Sequence, residues 1–284
     1  MKIKLSYSSA NRAAAYPYLL YMLVFTIVPV LLVIYYSLTN DEGAFTTANF
    51  SRVFEGVYLS VMWRSVKLAA GSTLMCFLIG YPLAYVIASL DTKSKTWLNR
   101  DTILFLIIVP MWMNFLLRTY AWLTILEKNG IINSFLDMLH ITKLNLLYNN
   151  GAVVLGMVYN FVPFMILPVY TVLNKMDNSL IEAAQDLGAG KLHVFFKVIF
   201  PMSIPGVISG VNMVFMPAVT TFVVSDLLGG KQFILVGNLI EQQFLTVYDW
   251  HFGSAISVIL MIVILFTIGI VGAADKDSDG GQLI

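Results

Sequence analysis

Six stretches of this chain stay apolar for about 20 residues or more, the length a helix needs to cross a hydrocarbon layer of about 30 Å. They run over 16–38, 66–90, 103–126, 152–173, 204–224 and 252–274. A soluble core cannot hide that much apolar surface. Composition agrees, since 58% of the 284 residues are hydrophobic and 12% charged, roughly half the charged share of an ordinary soluble domain. The expected architecture is an all-α membrane protein, one domain over 1–284 with six transmembrane helices.

The first stretch has too long an apolar core for a cleaved leader, and its small residues Ala13–Ala15 precede that core instead of following it. It reads as an uncleaved span. A net charge of +1 offers no basic face to nucleic acid. The single cysteine, Cys76, lies in an apolar run, and His140, His193 and His251 lack ligand spacing. Neither a metal centre nor a catalytic cluster is expected, so the chain does not read as an enzyme. Most of the prolines fall within or at the ends of the spans. They fit kinked helices around a cavity, or ordinary packing kinks.

Basic residues set the orientation. Lys2, Lys4 and Arg12 precede span 1, Lys93, Lys95 and Arg100 lie between spans 2 and 3, and Lys175, Lys191 and Lys197 lie between spans 4 and 5. The opposite side holds Arg52, Arg64, Lys67, Lys128, Lys143 and Lys231. The excess of Lys and Arg marks the cytoplasmic side and puts both termini there. The acidic tail, with Asp275, Lys276, Asp277 and Asp279, carries little weight in that rule.

One loop is too ordered to be a tether. Over 175–203, Asp177 or Asn178 is placed to cap a helix that begins Ser179-Leu-Ile-Glu182-Ala183-Ala184-Gln-Asp186-Leu187. Glu182 and Asp186, four apart, share a face. Gly188 stands where a helix is stopped. A second short amphipathic run, 191–200, leads to Pro201 and Pro205. The alternative for this loop is an amphipathic helix lying on the membrane surface. The segment Gly188-Ala189-Gly190-Lys191 ends like a phosphate loop, but Gln185 and Leu192 stand where that pattern needs glycine and Ser or Thr. No nucleotide site is expected in this chain.

The run Glu182-Ala183-Ala184, then Gly188, followed by Phe196, Pro201, Pro205 and Gly206, resembles the EAA loop of ABC-importer inner-membrane permeases. The segments Ile108–Trp122, Val224–Gly230, Gly237–Phe244 and Asp249–Ala255 are similar to the B-type permease subunit of spermidine/putrescine systems. The resemblance implies a type I importer fold with a cytoplasmic coupling helix, in which Glu182, Ala183, Ala184, Asp186, Leu187, Gly188 and Ala189 meet an ATPase. It implies a bacterial inner-membrane location, a second homologous permease subunit, two ATPase subunits that bind ATP and Mg2+, and an external polyamine-binding protein. Other cargo of the same family, such as sulfate, ferric iron or thiamine, stays open, as does, more distantly, a stand-alone channel or membrane enzyme.

A polyamine path needs carboxylates and aromatic faces. Trp112, Asn114, Tyr120, Phe222 and Asp226 are the candidates, with Trp122 nearby. Trp112, Tyr120 and Trp122 would serve equally in an interfacial aromatic belt, and Asp226 as a helix-end contact. Arg118, a cation beside a cation path, is expected to be structural and salt-bridged to an acid of this chain or its partner. Glu127, Asp137, Glu241 and Asp249 lie in the outer segments 126–150 and 225–250, which form a platform for the binding protein or plain solvated loops.

Overall fold

The structure is a computed structural model that describes residues 16–90, 99–230 and 233–279, with side chains to residue 269 in the last helix. Lys2, Lys4, Arg12, Ala13–Ala15, Lys93, Lys95 and Lys231, and the side chains of Asp275 to Asp279, lie outside the described residues. The described residues fold into helices α1 (Tyr16–Ser37), α2 (Ala48–Val53), α3 (Gly56–Ser89), α4 (Arg100–Ile108), α5 (Phe115–Leu126), α6 (Ile131–Met138), α7 (Asn150–Lys175), α8 (Asn178–Asp186), α9 (Lys191–Thr220), α10 (Val223–Gly229), α11 (Val236–Gln242) and α12 (Trp250–Asp279). The chain divides into two compact units, 1–59 with 240–262 and 60–239 with 263–284.

In the first unit α1 is apolar throughout, and none of its most apolar stretch is buried. The unit is fastened near the start of α12. Arg52 Nη1 lies 2.7 Å from Asp249 Oδ2, and the guanidinium stands 4.0 Å over the Phe252 ring. Burial opposes the Arg52 charge, but bonds to Tyr58 and Asp249 outweigh it and hold its pKa above the ordinary value. His251 Nδ1 reaches the Tyr36 carbonyl at 2.9 Å, tying the end of α1 to α12.

The core of the second unit is α3, α7 and α9. Small residues let these backbones close on each other without water, as membrane packing requires. A methyl group at Gly206 would stand 3.0 Å from the Pro168 carbonyl oxygen, and one at Gly80 would stand 2.9 Å from Met165 Cγ. Tyr81 Oη and Ser203 Oγ meet at 2.8 Å, joining α3 to α9. The helices α3, α7 and α9 are each long and apolar enough to span a membrane, as are α1 and the first part of α12.

Three span limits differ from the sequence reading. Helix α3 begins at Gly56, ten residues before the apolar core, and runs through Arg64 and Lys67 without a break. The expected span 103–126 is two helices, bent by 94°. After the 3-10 turn Val109–Trp112, Met113 is extended (ψ 146°), and the Asn114 side chain accepts from Leu116 N–H at 2.8 Å to start α5. An N-cap inside an apolar run breaks the span that hydropathy alone would draw. The expected span 204–224 is longer at one end and shorter at the other, a helix from Lys191 to Thr220.

The amphipathic run 191–200 and the span after Pro201 are therefore one continuous helix. The turn Phe195–Ile199 is π-helical, with Phe200 N–H bonding to the Phe195 carbonyl. The wider turn gives the proline ring room against the preceding turn, so the helix continues through it. The same device recurs at Leu23–Ile27, two residues before Pro29.

Candidate functional site

Two regions of the second unit carry the chemistry singled out by the sequence. The first is α8. Asp177 is its N-cap, with Oδ1 accepting from Ser179 N–H at 2.9 Å. That backbone bond and the Ser179 side chain lower the Asp177 pKa below the usual carboxylate range. The cap is therefore charged at neutral pH, and its contribution is lost only as pH falls through that lowered value. At the other end Gly188 has φ +83°. Gly188 N–H bonds to the Gln185 carbonyl at 2.8 Å, and Ala189 N–H bonds to the Ala184 carbonyl at 3.1 Å. These two bonds are the Schellman stop, in which a left-handed residue satisfies the last helical carbonyls.

No residue of α8 is buried. Ala184 and Ala189 are half-buried, while Glu182, Ala183, Asp186 and Leu187 face outward. Leu187, at the tip, is 89% exposed. Such an apolar side chain on a rigid corner has no covering within its own chain. Behind the helix is a cavity of about 360 Å³, lined in part by Tyr85, Met176, Ile181, Gln185 and Lys191. So α8 is fixed at its two ends, rests in part on the first turns of α9, and leaves its outer face uncovered.

The second region is the break between α9 and α10. Thr221 leaves the helix (ψ 134°), and its N–H returns to the Pro217 carbonyl at 2.9 Å. The buried amide of Asn238 closes the gap. Its Nδ2 donates to the Phe222 carbonyl at 3.0 Å and to Asp226 Oδ1 at 2.9 Å. Its Oδ1 accepts from Leu235 N–H at 3.2 Å and from the Ser225 hydroxyl. All four hydrogen-bonding positions of the amide are used, which is what a buried asparagine requires. Val236 N–H donates to Ser65 Oγ at 2.8 Å and anchors the same corner to α3.

Gly237 passes over the broken end of α9, where a methyl group would lie 2.4 Å from the Thr220 carbonyl oxygen. Both sides of that contact are backbone, so neither yields easily. Gly237→Ala is expected to destabilise the protein by about 1–3 kcal/mol, the usual cost of overpacking. A lowered thermal midpoint of the detergent-solubilised protein checks this. An unchanged midpoint would show that the corner is looser than the geometry indicates.

The candidate path residues scatter around these features. Phe222 and Asp226 share the break, with Asp226 half-buried and one carboxylate oxygen bonded to Asn238. Tyr120 is half-exposed on α5, which packs against α10. Trp112 is 76% exposed beside Phe105, and Asn114 Oδ1 is occupied as the α5 cap. Trp122 rests edge-on against Tyr159. The structure brings Phe222 and Asp226 together but not Trp112 with Asp226. Asn238, Ser225 and Ser65 were not singled out from sequence, although Asn238 and Ser225 lie within quoted motifs.

Arg118 departs from expectation. It is 8% exposed, its Nε has no acceptor, and Phe115 lies 5.9 Å away. No acidic side chain pairs with it among the described residues.

Comparison with known proteins adds what geometry alone cannot. The family described as "binding-protein-dependent transport system inner membrane component" matches residues 80–275. The spermidine/putrescine transport system permease protein PotB of Escherichia coli K12 is 40% identical over 251 residues, 86% of this chain and 90% of that protein. PotB of Haemophilus influenzae is 39% identical over 264 residues, 90% and 91% of the two chains. Among solved structures, a chain of a bacterial ABC transporter that imports alginate superposes with a TM-score of 0.80 at 14% identity, over 94% of this chain and 95% of its own. At that identity the likeness speaks for the fold, which is that of an ABC-transporter permease. With the family matched over most of its length, this chain belongs to the inner-membrane components of binding-protein-dependent transport systems, a transport component and not an enzyme.

Proposed function

We propose that this chain carries polyamines such as spermidine and putrescine across the bacterial inner membrane as one permease of an ATP-driven importer. The observation behind the mechanism is α8, a helix stopped by a Schellman motif with Leu187 uncovered at its tip. A capped, rigid helix between two spans moves as a body when a partner grips it. The partner on this reading is a separate ATPase that holds ATP and Mg2+, and it contacts Glu182, Ala183, Ala184, Asp186, Leu187, Gly188 and Ala189. On this reading α8 and both termini lie in the cytoplasm, which the excess of basic residues on that side supports. Two ATPase subunits, a second homologous permease and an external polyamine-binding protein complete the assembly. The 1–284 chain acts in it as one transmembrane domain.

ATP binding draws the ATPases together, α8 follows, and the cavity between the two permeases changes the side it opens to. The cargo assignment is supported by the 40% identity to a spermidine/putrescine permease. Chemistry favours the same reading. Asp226 has one carboxylate oxygen beyond its bond to Asn238, and the exposed Phe222 lies one helical turn before it; a carboxylate and an aromatic face are the groups that suit an ammonium ion. Helix breaks of this kind line paths in transporters, because their unpaired backbone groups need polar company. Trp112, Asn114 and Tyr120 are assigned to the same path.

The test is reconstitution of the whole complex in vesicles with labelled spermidine outside and ATP inside. ATP-dependent spermidine accumulation is expected, and sulfate should not compete. Uptake of an oxyanion in place of spermidine would move the chain to other cargo of the same family.

A further inference from the structure

Arg100 entered the sequence reading only as a charge that sets orientation. In the structure it is the point where three elements meet. It lies at the start of α4, just after the Asn99 cap that accepts from Thr102 N–H. Its Nη2 donates at 2.8 Å to both the Ala88 and the Leu90 carbonyls, at the end of α3. Its Nη1 donates at 2.5 Å to Asn174 Oδ1, in the last turn of α7. Nε is buried without an acceptor, so the guanidinium is committed through its two outer nitrogens.

Each of these bonds has a clear physical use. The last carbonyls of a helix have no partner of their own, and a cation near them is favoured by the helix dipole. A planar guanidinium reaches several acceptors in fixed directions, which an ammonium on a flexible stem does not. The position of Asn174 then becomes important. Only Lys175 and Met176 separate it from the Asp177 cap of α8. A force on α8 arrives first at the end of α7, and Arg100 is what joins that end to α3 and α4.

We propose that Arg100 and Asn174 form the joint that transmits the movement of α8 to the α3–α4 pair as well as to α7. This rests on the reading of α8 as the ATPase contact. Without the joint, the end of α7 is held to α3 only by packing farther along the helices, as at Gly80 against Met165, and part of the displacement of α8 is lost in the short 175–177 link. The ATPase would then turn over without moving the full bundle. Arg100 and Asn174 are positioning residues and touch neither nucleotide nor cargo.

The test uses the complete reconstituted transporter and reads two rates together, spermidine taken up and ATP hydrolysed in the presence of the binding protein. Asn174→Ala removes the link to α7 but leaves the Arg100 charge and both carbonyl bonds. Arg100→Lys keeps the charge and loses the fork. Both are expected to assemble and hydrolyse ATP, with uptake per ATP lowered about tenfold, the shift that losing one charge-assisted hydrogen bond makes in a two-state equilibrium. An unchanged ratio in both variants, or loss of assembly in Asn174→Ala, would overturn the joint and leave these residues with a folding role. Gly188→Asp, run alongside, separates the two ideas. If it transports normally the coupling role of α8 fails, whereas if it is blocked while both joint variants keep the normal ratio, only the joint fails.

Discussion

Gly188→Asp is expected to lower ATP-driven uptake about a hundredfold, the scale set by an unpaired charge at the centre of an interface, while the chain still inserts and folds. The structure gives the reason for the second half. A Cβ at Gly188 would meet nothing within 4 Å, so the new side chain enters open space. Its φ of +83° costs an ordinary residue about 1–2 kcal/mol, and aspartate visits the left-handed region more readily than most. The fold therefore loses little, and the added carboxylate stands beside Leu187 at the helix end proposed as the ATPase contact. Membrane yield and thermal midpoint should stay close to the parent. Normal uptake by this variant would count against α8 as the contact with the ATPase.

The second large effect is expected at Asp226. Replacement by asparagine keeps the shape, and the new amide can still offer an oxygen to Asn238 Nδ2, which lies 2.9 Å from Asp226 Oδ1 in the parent. Only the charge is lost. A carboxylate–ammonium contact is a charged hydrogen bond, so uptake of spermidine at limiting concentration should fall roughly ten- to a hundredfold. Hydrolysis of ATP stimulated by the binding protein should persist. Unchanged uptake would leave Asp226 as the first-turn acid of α10 and a partner for Asn238 only.

How far the sequence reached depended on whether the controlling chemistry was local. The ends of α8 were legible because Asp177 and Gly188 act within a few residues of themselves, through a cap and a left-handed stop. The long spans were legible from apolar length. The breaks at Met113 and Thr221 were not, since apolar residues run through both and hydropathy is blind to where a helix stops. Asn114 signals its break locally, as an N-cap in an apolar context. The break at Thr221 is held by Asn238, sixteen residues beyond Phe222, and no spacing rule points across that distance. Arg100 shows the same limit in another form. Its charge is visible in the sequence as a topological signal, but its bonds to Ala88, Leu90 and Asn174 exist only in three dimensions.

Arg118 and α1 show where a single chain is incomplete. A guanidinium 8% exposed whose Nε has no hydrogen-bond partner among the described residues and a 22-residue apolar helix with none of its most apolar stretch buried both suit a chain that functions beside others. An in-chain pairing for Arg118 was a reasonable expectation from charge alone, and the structure leaves that role unfilled.

Everything mechanical above depends on α8 reaching a separate, nucleotide-driven subunit. Cysteine cross-linking addresses that directly, because the chain has one cysteine and Cys76 is fully buried. In membranes from cells making the complete transporter, Leu187→Cys should form a short cross-link to the ATPase subunit, with a yield that changes when ATP is added. Absence of that adduct, with the position instead modified from outside intact cells by an impermeant maleimide, would contradict it.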